Sequence, residues 1–356
     1  MHIMTDSPIR FPGLFGDWEF TASSTAFHIG GKAIYWYGIL IALGVVLALW
    51  FCMTQKEKYG ITEDDLLDAV LWGVPLSIVG ARLYYVIFYL DLFRNDDGSF
   101  DWGGAIAIWD GGLAIYGGVI GGFLFGGLAC KWRKVPVLPM FDLAAMGFLI
   151  GQGCGRWGNF FNQEAFGCNT TLPWGMYSEA TRDYLLSSVV TAPKGTVIDP
   201  NLPVHPTFLY ESIWCFVGLF LLVKYIKKRK FAGDIALRYL IWYGAGRFWI
   251  EALRTDSLLL VPSIGLRVSQ VVAAVAVVGG IIAEVILTKR YEDKPLMVKL
   301  ALNSENRTLA AKAKKADPAF RLEEEELVAS SPRKLFVERT EAYNKQVKEE
   351  LSAQQQ

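Results

Sequence analysis

Residues 33–53 read AIYWYGILIALGVVLALWFCM, an apolar run without one charged side chain. A helix rises about 1.5 Å per residue and crosses the roughly 30 Å hydrocarbon core of a bilayer in about 20 residues, so this run is long enough to span a membrane. Six more stretches, near 66–90, 111–130, 140–160, 206–226, 234–254 and 264–288, approach the same length and apolarity. Those at 66–90, 140–160 and 234–254 are the least uniform, because arginines or runs of polar residues interrupt them. The whole chain agrees: 53% of its 356 residues are hydrophobic and 14% aromatic, above what a soluble domain of this size needs. The expected fold is an all-α integral membrane protein of seven transmembrane helices.

Lysine and arginine next to spans collect on the cytoplasmic side. Here they follow the first, third, fifth and seventh runs, as QKEKYG from Gln55, KWRK from Lys131, KYIKKRK from Lys224 and KR at Lys289. The alternate connections read DLFRNDDGSFDW and DSLLLVPSIG. The N-terminus is therefore expected outside and the C-terminus in the cytoplasm. Residues 1–32 read as an external N-terminal segment, 33–288 as a seven-span membrane domain and 289–356 as a charged cytoplasmic tail, solvated rather than packed. The connection at about 165–204 is polar and mixed enough to form a small external head between spans four and five. The N-terminus lacks a compact basic region followed by an apolar run, so the first span is expected to stay in the mature protein.

Formal net charge is zero, which gives no argument for nucleic acid. Five cysteines form no CxxC pair and there are only three histidines, so neither a disulfide framework nor a metal site is expected.

Function is carried by polar groups placed in lipid, where an ionised side chain at a span's centre costs about 2.5–3.5 kcal/mol on the insertion scale. In the sixth run Tyr243, Arg247, Glu251 and Arg254 recur at intervals of four, four and three, so they share one helix stripe that must face protein or water. The fourth run ends in GRWGNFFNQEAFG, which holds Arg156, Asn159, Asn162, Glu164 and Gly167. The fifth opens with HPTFLYE, bringing His205, Tyr210 and Glu211. The third begins IWDGGLAIYGGVIGGFLFGG, where Gly117, Gly118, Gly121, Gly122 and Gly126 suit close helix packing and Tyr116 sits among them. Tyr37 lies in the first run and Arg82 in the second. With the orientation above, all these groups fall in the outer half of the membrane. Independent structural pairs have no reason to share one depth; a common site opening toward the outer leaflet does. Arginines suit an anionic, bidentate ligand such as a phosphate, and an anionic phospholipid entering from the bilayer is the simplest candidate.

GRWGNFFNQEAFG, HPTFLYE, the YGAGRFWIEALR stretch from Tyr243 and WDGGLAIYGG together resemble the prolipoprotein diacylglyceryl transferase family over about residues 33–288. The resemblance implies a seven-helix inner-membrane enzyme with an external head. Its substrates would be phosphatidylglycerol and the lipobox cysteine of a prolipoprotein, with a thioether product and glycerol phosphate released. It places Arg156 on the phosphate and Arg247 on the departing group, with Glu251 orienting Arg247. Asn159, Asn162, Glu164 and Gly167 shape the head-group pocket, which Arg82, Tyr37, Tyr243, Arg254 and Tyr210 complete. The nucleophile belongs to the partner protein, and no metal or cofactor is expected. Some family members carry histidine where Tyr116 stands, so the proton acceptor stays open among Tyr116, His205 and Glu251. A phospholipid hydrolase or a secondary transporter using the same polar site are the alternatives.

Overall fold

The computed structural model describes residues 7–95, 98–108, 111–187, 198–256, 259–261 and 265–353, with the side chains of Ile115, Tyr116 and Val261 outside that description. In chain order the helices are α1 (Pro12–Phe15), α2 (Trp36–Gln55), α3 (Glu63–Phe88), α4 (Trp102–Ile106), α5 (Ile115–Trp132), α6 (Val137–Asn162), α7 (Glu179–Leu186), α8 (Thr207–Tyr225), α9 (Asp234–Leu253), α10 (Val268–Arg290), α11 (Ser304–Ala316) and α12 (Arg333–Ala353). Short strands connect them: β1 (Pro8–Arg10), β2 (Glu19–Thr21), β3 (Thr25–Ile29), β4 (Lys32–Tyr35), β5 (Tyr177–Ser178), β6 (Leu259–Val261), β7 (Leu266–Arg267), β8 (Met297–Lys299) and β9 (Glu326–Val328).

Every run expected to span contains a long helix: α2, α3, α5, α6, α8, α9 and α10. Five described stretches are long and apolar enough to cross a membrane, namely Trp36–Tyr59, Glu63–Phe88, Val137–Asn162, Thr207–Lys228 and Val268–Arg290. Of the other two, α5 is 18 residues long and α9 carries Asp234, Arg238, Arg247 and Glu251. The protein is thus a mostly helical, multi-pass membrane protein. The first helix of spanning length, α2, starts at Trp36 rather than Ala33, because residues 32–35 pair with β3 across a turn at Gly30 and Gly31, both with positive φ.

The chain forms two compact units, one of residues 1–52 and 142–295, the other of 53–141 and 296–356. In the first, α8 and α9 are locked by a reciprocal pair. The Trp214 and Trp242 rings stack at 4.3 Å, and each indole N–H donates to the other residue's carbonyl at 2.9 Å. Gly246 lies under Trp214 and Gly218 under Trp242, where any Cβ would collide with the ring. This fixes the register of the two helices that carry Glu211 and Arg247. The N-terminal segment is not separate from the head: β1 pairs with both β2 and β5, and Ile9 shares a buried cluster with Phe166, Met176, Leu185, Val204 and Phe208. That pairing joins residues about 170 positions apart, which local patterning does not reveal.

In the second unit α3 and α5 pack backbone to backbone. A Cβ on Gly121 would approach Gly80 Cα to 3.1 Å, and the Ser77 hydroxyl donates to the Gly118 carbonyl at 2.6 Å. The packing role expected for the glycines of α5 fits Gly117 and Gly121, whereas Gly126 meets nothing within 4 Å. The segment after 295 is folded rather than merely solvated. Val298, Leu300, Ala329, Phe336, Tyr343, Val347 and Leu351 form a core of their own. The four on α12 recur at seven, four and four residues, one helical stripe diluted by charge in the sequence. Arg307 of α11 donates two 2.5 Å hydrogen bonds to Asp65 at the start of α3, which attaches this subdomain to the 53–65 connection.

Candidate functional site

The end of α6, the end of α9 and the start of α8 bring an ionic cluster together within about two turns of their termini. Arg156 of α6 contacts Glu211 of α8 at 2.6 Å, and Arg247 of α9 contacts the other Glu211 oxygen at 3.0 Å. Arg247 also reaches Glu251, one turn further along α9, at 2.6 Å. The carboxylates lie at the closed side of this cluster, with side chains 5% and 4% exposed, while Arg156 and Arg247 are 19% and 22% exposed. Tyr243 hydrogen-bonds Arg156, and its ring stacks on Tyr239, whose hydroxyl accepts from Gln152 at 2.9 Å. Tyr37, in the first turn of α2, packs against Gly158, where a Cβ would strike its ring.

Beyond Arg156 the chain turns sharply. Gln163 and Ala165 have positive φ, 51° and 56°, in the left-handed region that non-glycine residues seldom occupy. Glu164 between them accepts from Asn159 at 2.9 Å and from Asn162 at 3.1 Å. Gln163 is fully buried and held by Ser7: its amide donates to the Ser7 carbonyl at 2.7 Å, and the Ser7 hydroxyl donates back at 3.0 Å. Gly167 lies at a backbone seam, donating to the His205 carbonyl at 2.9 Å and pairing with Arg254, with no room for a Cβ. Arg254 itself is engaged by both oxygens of Asp256, at 2.9 and 2.7 Å. Burial alone would raise the Asp256 carboxyl, but this pairing holds it below its ordinary range.

His205, just before α8, contacts the Tyr210 hydroxyl through Nδ1 at 3.0 Å, and Trp174 donates to the same hydroxyl at 2.8 Å. Burial pushes His205 below its ordinary 6.5, so it is neutral at pH 7.

The structure therefore gathers Arg156, Asn159, Tyr243, Arg247 and Glu251, with Tyr37, Asn162 and Glu164 on adjoining turns. Arg82 belongs to the other unit and is spent on main chain. It donates to the carbonyls of Ala105 (3.0 Å), Gly111 (2.5 Å), Gly112 (2.9 Å) and Gly104 (2.6 Å). Four of a guanidinium's five N–H donors are thereby used. Gly112 has φ +67° and a Cβ there would lie 2.5 Å from the Arg82 nitrogen. The Tyr116 side chain, Trp109 and Asp110 lie outside the described residues. Glu211 stood in the HPTFLYE motif without an assigned role, yet it joins the two arginines. The available signal was a carboxylate one turn into an apolar span, where only pairing makes it tolerable.

As a whole the cluster is neutral, two guanidinium groups against two carboxylates, so it can persist in a low-dielectric setting before any ligand arrives. What it offers a ligand is a pair of oriented, partly exposed guanidinium edges from two helices. Such an arrangement suits a phosphate diester.

The model of the prolipoprotein diacylglyceryl transferase family matches residues 24–286. The chain belongs to this family. It is 40% identical over 272 residues to a phosphatidylglycerol–prolipoprotein diacylglyceryl transferase of Lysinibacillus sphaericus (strain C3-41), covering 76% of this chain and 94% of that protein. A protein of the same name from Clostridioides difficile (strain 630) is 40% identical over 269 residues, 75% of this chain and 96% of its own length. Another, from Bacillus cereus (strain G9842), is 41% identical over 266 residues, 74% and 92% of the two chains. The folded segment after 295 lies beyond the family match.

Proposed function

We propose that the Arg156–Glu211–Arg247–Glu251 cluster holds the phosphodiester of phosphatidylglycerol while its diacylglyceryl group passes to the lipobox cysteine of a prolipoprotein. As a member of its family the chain is a transferase acting in lipoprotein maturation, with phosphatidylglycerol as donor and the prolipoprotein as acceptor. The cysteine sulfur attacks the glyceryl carbon that bears the phosphate. A C–S bond forms, the C–O bond to phosphate breaks with its electron pair, and glycerol phosphate leaves. Negative charge grows on the phosphate oxygens along this path, and fixed N–H donors aimed at them stabilise the transition state more than the ground state. Glu211 and Glu251 keep both guanidinium groups in place before the lipid binds, so little reorganisation is needed during the reaction.

The observation that carries this reading is the convergence of Arg156 and Arg247, from separate helices, on the two oxygens of one buried carboxylate. Asn159, Asn162, Glu164 and Tyr37 flank the head group, Tyr243 steadies Arg156, and Tyr210 orients His205. Gly167 and Arg254 build the seam between head and membrane helices rather than touching the lipid. Arg82 is a positioning residue for the 104–112 segment that leads to Tyr116. His205 takes the thiol proton through Nε2. This requires the tautomer in which Nδ1 carries hydrogen and donates it to the Tyr210 oxygen.

Seven helices cross the bacterial inner membrane, with the N-terminus and head outside, the site opening to the outer leaflet, and the 289–356 subdomain in the cytoplasm. Mass analysis of a lipobox peptide incubated with the enzyme and phosphatidylglycerol tests the function. A diacylglyceryl adduct is expected. Release of free lipid without an adduct would instead mark a hydrolase, and neither product would remove the assignment.

A further inference from the structure

Residues 11–20, outside the stretch matched to the family, form an apolar hook on the head. Leu14, Phe15 and Trp18 are 54%, 50% and 60% exposed. They project from a short non-spanning segment, so the helix–lipid contact that accounts for exposed leucines along the spans does not account for them. The hook is nevertheless a built structure. Phe15 and Trp18 meet edge to face at 5.7 Å, Phe15 meets Phe20 at 5.6 Å, and Trp18 meets Phe20 at 4.5 Å. Its base is fastened: Gly13 abuts the Pro173 backbone with no room for a Cβ, and Arg10 pairs with Glu19 across the strands.

The height of the hook is fixed by what its root packs against. Phe11 lies on the cluster that includes Ile9 and Phe208, and Phe160 and Phe161 lie on the same cluster. Phe160 and Phe161 immediately precede the last residue of α6, and Phe208 is the second residue of α8. The hook therefore sits level with the ends of two helices long and apolar enough to span a membrane. That level is the boundary between head groups and acyl chains, where tryptophan and other amphipathic aromatics are favoured.

From this placement we infer that Leu14, Phe15 and Trp18 insert into the interfacial layer of the bilayer and anchor the head to the membrane surface. The anchor is joined to the site through one strand. β1 begins two residues before Arg10 and directly follows Ser7, whose two hydrogen bonds hold buried Gln163 in the left-handed turn beside Glu164. Bilayer contact at the hook thus steadies the turn that carries Glu164, the acceptor for Asn159 and Asn162.

The anchor is read without turnover, so its test is separate from that of the transfer reaction. Phe15 is replaced by photoreactive p-benzoylphenylalanine in the full chain, reconstituted in phosphatidylglycerol-containing nanodiscs together with a lipobox peptide, and irradiated. A control carries the same group at Asn201, an exposed head position. A phospholipid adduct at position 15 and none at 201 is expected. Absence of a lipid adduct at 15, or an adduct with the peptide in its place, overturns the inference. A second measurement uses Leu14→Ser, Phe15→Ser and Trp18→Ser combined. Transfer is expected to fall several-fold in nanodiscs and to match the unaltered enzyme in detergent micelles; equal rates in nanodiscs contradict the anchor.

Discussion

Arg82 and Arg247 both sit within helices that carry apolar runs, and the sequence offers the same argument for each. The structure treats them in opposite ways. Arg82 gives four hydrogen bonds to main-chain carbonyls of one short segment, whereas Arg247 makes one contact from each terminal nitrogen, to Glu211 and Glu251. Arg156 resembles Arg247, with Glu211 and Tyr243 as partners and a long 3.4 Å contact to Asn159. Under the proposed function, an arginine in a membrane helix serves as a ligand group only when donors remain for a ligand, and as a fastener when the backbone takes them.

The largest effects should fall on the open pair. Arg156→Ala and Arg247→Ala are each expected to reduce transfer by roughly 10²–10³-fold, the size seen when one fixed donor to a developing anion is removed. Steady-state assays with protein whose thermal stability is checked in parallel measure this. Glu211→Gln keeps the shape but removes the charge shared by both arginines, and a charge-assisted hydrogen bond is worth about 1.5–3 kcal/mol, so a loss of roughly 10–100-fold in kcat is expected.

Arg82→Gln should act differently. A decrease of roughly tenfold in kcat is expected, with KM for phosphatidylglycerol unchanged, because a misplaced segment weakens the reaction without removing a lipid contact. Gly112→Ala displaces the same segment, so the double variant should lose little more than either single one. Additive losses, or a raised KM in Arg82→Gln, would make Arg82 a lipid ligand after all.

The proton acceptor gives a pH signature. As the proposed acceptor His205 must be neutral, and burial lowers it from 6.5, so the midpoint of the acid limb of kcat/KM is expected below pH 6.5. Tyr210→Phe removes the partner of Nδ1 and should move that acid limb. A limb that persists unchanged in His205→Ala assigns the proton to another group. Arg307→Ala, another arginine committed to protein, should cost about 1–3 kcal/mol of stability in the second unit and leave transfer intact, as read by denaturant unfolding and by rate.

Much of this was legible in the sequence for simple reasons. Long apolar runs and helical spacing locate the seven long helices α2, α3, α5, α6, α8, α9 and α10, and the 243–254 stripe places Arg247 and Glu251 one turn apart. The less legible parts depend on distant partners. Nothing local in HPTFLYE says that Glu211 meets Arg156, 55 residues earlier. Nothing near Gln163 points to Ser7, which is 156 positions away. Nothing local to Gly246 points to its neighbour Trp214, whose exchange of hydrogen bonds with Trp242 sets the helix register. The C-terminal core was masked by the charges that surround its single apolar stripe.

The most direct test of the contrast is equilibrium binding of phosphatidylglycerol, measured by native mass spectrometry on Arg156→Ala, Arg247→Ala and Arg82→Gln without the peptide. Affinity is expected to fall by roughly tenfold or more in each of the first two, about 1.4 kcal/mol or more, and to stay at the unaltered value in the third. Unchanged affinity in both Arg156→Ala and Arg247→Ala, with each protein folded, would contradict the claim that these two guanidinium groups hold the lipid phosphate.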